Sequence, residues 1–263
     1  MRGLLKSRLF IKQLTHTIKL EFIFKGVAIY FLLVGISGCS LQKKYEDFEG
    51  TFLSEIEQLE QLNDVGNKTD YLLFVGSSSI RLWDDIEQDM APYTVVKRGY
   101  GGAHYYDLIH YVSRLVQGHG KAQGVVIFVA NDITGEQSWD TLHRDLKPVQ
   151  IKRLFKAVTK KIHKTLNKEL PIFVIETTPT PNRWAVWEQT SKANDLIKQY
   201  TKRHPDLFYI STRDFFINKL GIANPKLFLK DSLHLNSSGY KLWSEIIKKE
   251  LNNNPLIHIP SNE

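Results

Sequence analysis

Apolar positions along the chain follow two rhythms. Short unbroken runs rich in β-branched and aromatic residues occur at Leu72–Val75, Tyr93–Val96, Val125–Val129, Ile172–Ile175 and Leu207–Ile210. Runs of this length suit strands buried on both faces. Between them the spacing lengthens to three and four. Tyr106–Val116, the set Ile151, Leu154, Phe155, Val158, Ile162 and Leu166, Trp187–Arg203, and Tyr240–Leu251 each present one apolar helical face. Ser237 or Ser238 is suited to cap the last of these helices. Ahead of the first strand, Tyr45, Phe48, Phe52, Ile56, Leu59 and Leu62 predict an amphipathic helix packed on the domain. Strands alternating with helices predict an α/β fold, a doubly wound five-stranded parallel sheet with right-handed crossovers and helices on both faces.

The first 44 residues break this pattern. Residues 1–25 are basic and mixed, and residues 26–37 carry no charge. An apolar stretch of that length behind a positive segment suits a signal peptide, and it is short for a membrane-spanning helix. The stretch ends in Ile36-Ser37-Gly38-Cys39, which resembles a bacterial lipobox. The chain therefore divides into a signal peptide over 1–38, a tether over 39–44, a domain over 45–251 and a C-terminal tail over 252–263. Lipidation of Cys39 would make this an exported protein held on a membrane. Ser40, where Asp would signal retention, predicts the outer membrane in a cell with two membranes, facing the periplasm or the cell surface. Cys39 is the only cysteine in the chain, so no internal disulfide forms.

Charge changes little in this picture. The formal net charge is +7, but residues 1–38 hold six basic side chains against one acidic. The remaining excess is small for 225 residues, and no nucleic-acid partner is expected.

In an open parallel sheet, ligands bind beyond the C-terminal strand ends. Residues just after the predicted strands are Gly76-Ser77-Ser78-Ser79, Arg98-Gly99-Tyr100-Gly101-Gly102, Ala130-Asn131-Asp132 and, before the last helix, Asp231-Ser232-Leu233-His234. A serine hydroxyl needs a base to become a nucleophile. His234 suits that role, with Asp231 three residues earlier to set its tautomer. Oxyanion donors are expected from the N–H groups of Ser78 and Gly102 and the amide of Asn131. At Gly102 a side chain is expected to obstruct close backbone approach.

These four segments resemble the blocks of the SGNH hydrolases, or GDSL esterases, over about residues 45–250. The first block, Gly76-Ser77-Ser78-Ser79-Ile80-Arg81-Leu82-Trp83, is similar to one branch of that family. The resemblance places the nucleophile on Ser78, with Ser77 in the position of the usual Asp, and the other three signature residues on Gly102, Asn131 and His234. It implies a flavodoxin-like three-layer α/β/α sandwich and hydrolysis of carboxylic esters through an acyl-enzyme, with no cofactor and no metal. Two departures stand out. Val129 replaces a common glycine in the third block, and Ala103-His104 follows Gly102 where Ser or Thr is usual. Ser77, His104, Arg183 and Trp184 are candidates for the substrate pocket, and Trp139 for stacking on a sugar. The expected substrate is a small acyl ester, acetyl above all, on a small molecule or glycan. Two alternatives remain open: a lysophospholipase or thioesterase, and a non-catalytic binding lipoprotein on a retired hydrolase fold.

Overall fold

A computed structural model of the chain describes residues 41–46, 50, 52–135 and 145–259. The chain divides into two units, Met1–Lys44 and Tyr45–Glu263. The signal segment, Cys39, Phe48 and Trp139 lie outside the described residues. In the first unit residues 41–44, expected as tether, are helical.

The second unit holds five parallel strands in the order β2-β1-β3-β4-β5. They are β1 (Leu72–Gly76), β2 (Val95–Gly99), β3 (Gly124–Phe128), β4 (Ile172–Ile175) and β5 (Leu207–Ile210). The helices are α1 (Leu53–Gln61), α2 (Ser78–Arg81), α3 (Ile86–Asp89), α4 (Tyr105–Val116), α5 (Pro148–Leu166), α6 (Trp187–Thr201), α7 (Arg213–Phe216) and α8 (Ser237–Asn252). Alternate side chains of each strand point to opposite faces. Leu72, Phe74, Val126, Phe128, Phe173 and Ile175 share a core with Trp243, Ile246 and Ile247 of α8. Helices α4, α5 and α6 pack side by side in the other layer, and α1 lies against α4. The result is the expected three-layer α/β/α arrangement.

Four elements differ from the sequence expectation. β2 starts two residues later than Tyr93 and runs on through Lys97, Arg98 and Gly99. Those charged side chains interrupt the apolar run, yet each has partners there. Lys97 Nζ donates to the carbonyls of Arg81 and Trp83, and Arg98 donates to Asn63 Oδ1 and the Leu62 carbonyl. Helix α1 covers only Leu53–Gln61, and Leu62 is 57% exposed rather than part of the buried face. Helix α8 is capped by Asn236, one residue before the predicted serines, whose Oδ1 accepts the Gly239 N–H at 3.0 Å. The tail does not leave the domain at 252: Ile257 is buried and the His258 N–H donates to Gln123 Oε1 at 2.8 Å.

Candidate functional site

Strand β1 ends at Gly76 and the chain turns at once into α2, so Ser78 sits on the first residue of that helix. The turn demands glycine: Gly76 has φ +152°, and a Cβ there would lie 1.8 Å from the Phe128 carbonyl oxygen. The next N–H, of Ser77, donates to that same carbonyl at 2.9 Å, which locks the turn to β3. Ser78 Oγ lies 3.0 Å from Nε2 of His234.

His234 comes from a small hairpin between α7 and α8, closed by an antiparallel bridge of Phe228 and Leu235. Inside it, the Leu229 N–H donates to the His234 carbonyl at 2.8 Å. Asp231 folds the tip. Its Oδ1 accepts the N–H groups of Leu233 and His234 at 2.9 and 3.0 Å, while Ser232 takes a left-handed φ of +59°. Oδ2 is then left for His234 Nδ1, at 2.7 Å. Desolvation works to raise the Asp231 pKa, but the hydrogen bonds from His234 and the two N–H groups prevail and hold it below the ordinary carboxylate value. The carboxylate therefore stays ionised beside the imidazole.

The Gly101–Ala103 turn follows β2. Gly102 has φ +67°, in the left-handed region that glycine enters without strain. A Cβ there would come no closer than 3.4 Å to the Phe52 ring. Backbone conformation therefore calls for glycine, and no neighbouring side chain does. Two carboxylates clamp the turn. Glu55 of α1 accepts the Gly101 N–H at 2.8 Å and also pairs with Arg81 of α2. Buried Asp107 accepts from the Tyr100 hydroxyl on one side and from the His104 N–H on the other. Among the described residues the N–H groups of Ser78 and Gly102 engage no acceptor. Asn131, just beyond β3, donates one amide hydrogen to the Ala103 carbonyl at 2.9 Å and keeps the second.

A cavity of about 30 Å³ opens at Ser78, His234 and Asn131. Phe128, Ile133, Leu235, Trp187 and Trp243 line it, and the Phe128 and Trp243 rings meet edge to face at 4.6 Å. Ser77 lines it too, almost wholly buried, and its Oγ has no hydrogen-bond partner among the described residues. Arg183 reaches it, bonded to Asn131. Of the other pocket candidates, Trp184 stacks on Trp187 at 6.1 Å and is not itself in the lining. His104 caps α4 instead, pairing with Asp107 at 3.1 Å and stacking on Tyr106 at 4.3 Å. Asp132, next to Asn131, is buried and accepts the Tyr105 N–H at 2.9 Å. Burial pushes its pKa up to about 7, against the lowering pull of His104, that N–H and Arg183.

Glu55 and Asp107 escaped the sequence reading, whereas Trp187 closes the segment Thr177–Trp187 that the sequence offers for the pocket. Asp107 takes the third position of a capping box in the structure, but His104 at the cap lies outside the usual Ser/Thr signature. Glu55 is one polar residue on an amphipathic helix and gives no such signal. Among the described residues no group of three or more His, Cys, Asp or Glu is placed to hold a metal.

No family model and no curated protein matches the chain. Solved structures do. A Streptococcus pneumonia protein whose name refers to platelet activating factor aligns at TM-score 0.62 and 17% identity, covering 84% of this chain and 98% of its own. A GDSL-like lipase from Bacteroides thetaiotaomicron aligns at 0.55 and 16%, covering 74% and 95%. A point variant of an acetyl-xylooligosaccharide esterase from Geobacillus aligns at 0.54 and 15%, covering 72% and 96%. The likeness to these proteins is one of fold, and it fits the three-layer α/β/α arrangement of this chain.

Proposed function

We propose that the chain is a serine carboxylic-ester hydrolase that acts on small acyl esters, acetyl above all, through an acyl-enzyme. The observation that carries this reading is the continuous line from Asp231 Oδ2 to His234 at 2.7 Å and from His234 Nε2 to Ser78 Oγ at 3.0 Å. Ser78 Oγ attacks the ester carbonyl carbon while Nε2 takes its proton. Charge that builds on the carbonyl oxygen meets the N–H groups of Ser78 and Gly102 and the second amide hydrogen of Asn131. Collapse expels the alcohol with the proton from His234, and water repeats the cycle on the acyl-enzyme.

The cavity supports a short acyl group. It is small, about 30 Å³, and walled by Phe128, Ile133, Leu235 and Trp243. A lysophospholipase or thioesterase needs a longer apolar path. The lined-up triad weighs against a retired binding fold. Glycans enter as the alcohol side by analogy with the acetyl-xylooligosaccharide esterase neighbour. The export and membrane attachment through Cys39 rest on the sequence alone; failure of Cys39→Ala to release the protein from membranes would overturn them.

The first experiment is hydrolysis of p-nitrophenyl acetate by the purified full chain beside Ser78→Ala. Activity that vanishes in the variant supports the reading. Equal activity in both removes Ser78 as the nucleophile.

A further inference from the structure

We infer that Arg183 is the positioning residue of the oxyanion site, setting which end of the Asn131 amide faces the substrate. The inference rests on the ester-hydrolase reading. A carboxamide has a donor end and an acceptor end of nearly equal shape, and a half-turn of its last torsion exchanges them. An Asn in an oxyanion site is useful in one of those two states only. Here Arg183 decides between them. One guanidinium nitrogen donates to Asn131 Oδ1 at 2.8 Å and the other to the carbonyl of Ala130 at 2.7 Å. Guanidinium donates and never accepts, so it selects the orientation with oxygen toward itself. The far side agrees, since the Ala103 carbonyl accepts from Nδ2 at 2.9 Å. In the flipped state Oδ1 would face that carbonyl and Nδ2 would face the cation.

The fork spans two consecutive residues at the end of β3, one through its main chain and one through its side chain. It therefore fixes the amide against the strand that carries it, and it is charge-assisted. A donor on Oδ1 also polarises the amide and makes the remaining N–H a stronger donor. Arg183 is itself held. Its N–H donates to Thr180 Oγ1 at 3.2 Å, and the preceding Asn182 N–H donates to the Ser232 carbonyl at 3.0 Å, in the hairpin tip beside His234. The loop after β4 thus ties the base hairpin to the oxyanion amide. Lysine offers a single point of charge in place of the planar fork.

The test is a double-mutant cycle on the full chain. Arg183→Met and Arg183→Lys are made in the native and in the Asn131→Ala backgrounds and assayed on p-nitrophenyl acetate, with melting curves to show that each variant folds. Arg183→Met is expected to lower kcat at least about tenfold, and by no more than the ~10²–10³-fold typical of losing one oxyanion donor. KM stays within about threefold, Arg183→Lys falls between, and in the Asn131→Ala background the loss disappears. The same loss in both backgrounds, a rise in KM alone, or no loss overturns the proposal. Ser78→Ala is carried in parallel, and activity retained there removes Ser78 as the nucleophile and with it the reading on which the inference rests. The ¹⁵N resonance of the Asn131 side-chain amide, identified by its absence in Asn131→Ala, reads the positioning without turnover. It is expected to shift in Arg183→Met and Arg183→Lys; an unmoved resonance overturns the proposal whatever the activity.

Discussion

Lengthening the acyl group of the substrate tests the site most directly. The cavity beside Ser78 is small, about 30 Å³. Acetate fits. Butyrate adds two methylenes against walls of Phe128, Ile133, Leu235 and Trp243, all buried and close-packed. Forcing extra methylenes into a packed interior costs about 1–3 kcal/mol. At 1.36 kcal/mol per factor of ten, that is a fall in kcat/KM of about 5- to 150-fold. Where space exists the sign reverses: each buried methylene contributes about 0.8 kcal/mol, or roughly fourfold per methylene. The assay is kcat/KM for p-nitrophenyl esters from acetate to decanoate. Ile133→Ala, which removes one wall, is expected to shift the optimum toward butyrate. A kcat/KM that climbs steadily with chain length would refute the assignment of this cavity to the acyl group and favour lipid esters.

Three further outcomes are expected. In Asp231→Asn, Oδ1 continues to accept the two backbone N–H groups, so the new amide NH₂ points at His234 Nδ1 and drives the ring proton to Nε2. The base is then occupied, and kcat should fall by as much as ~10⁴, with little change in melting temperature. Glu55→Gln keeps the shape of α1 but weakens the contacts to Gly101 and Arg81; kcat should fall a few-fold while KM holds, and an unchanged kcat would remove Glu55 from turn positioning. Asp132 is held protonated by burial, with a pKa raised to about 7. The folded state then binds the proton more tightly than the unfolded state, so its contribution is full below pH ~4 and is lost as pH rises through 7. Asp132→Asn keeps the acceptor for the Tyr105 N–H and should remove that decline; melting curves from pH 4 to 8 that match the parent would disprove the shift.

Much of this protein was legible because its strongest signals are local. All five strands lie at the predicted runs, since a strand buried on both faces must be apolar along its length. Ser78, Gly102, Asn131 and His234 lie at strand ends and turns and are picked out there by the resemblance to SGNH hydrolases, and Asp231 and His234 are near enough in sequence to fold one tip between them. The local rules failed where a distant partner changed the meaning of a residue. Lys97 and Arg98 read as the end of an apolar run, but carbonyls from other elements let β2 continue through them. Leu62 read as core and is exposed, because α1 stops one residue short of it.

Only the tertiary structure decided how the site is held. Arg183 in the sequence is a charged residue in a proline-rich loop, suited to touching substrate; packing brings it into the cavity lining and onto Asn131, 52 positions away. Glu55 reaches Gly101 across 46 positions, and no periodicity records that distance. Trp184 and Trp187 are equivalent as aromatics in the sequence, but the short 3₁₀ turn over Trp184–Val186 puts only the second in the cavity lining. The proposed nucleophile, base and oxyanion donors were readable because they lie at strand ends and turns, where the resemblance to SGNH hydrolases singles them out. The groups that orient them were not, because any element brought near by the fold can supply a hydrogen bond.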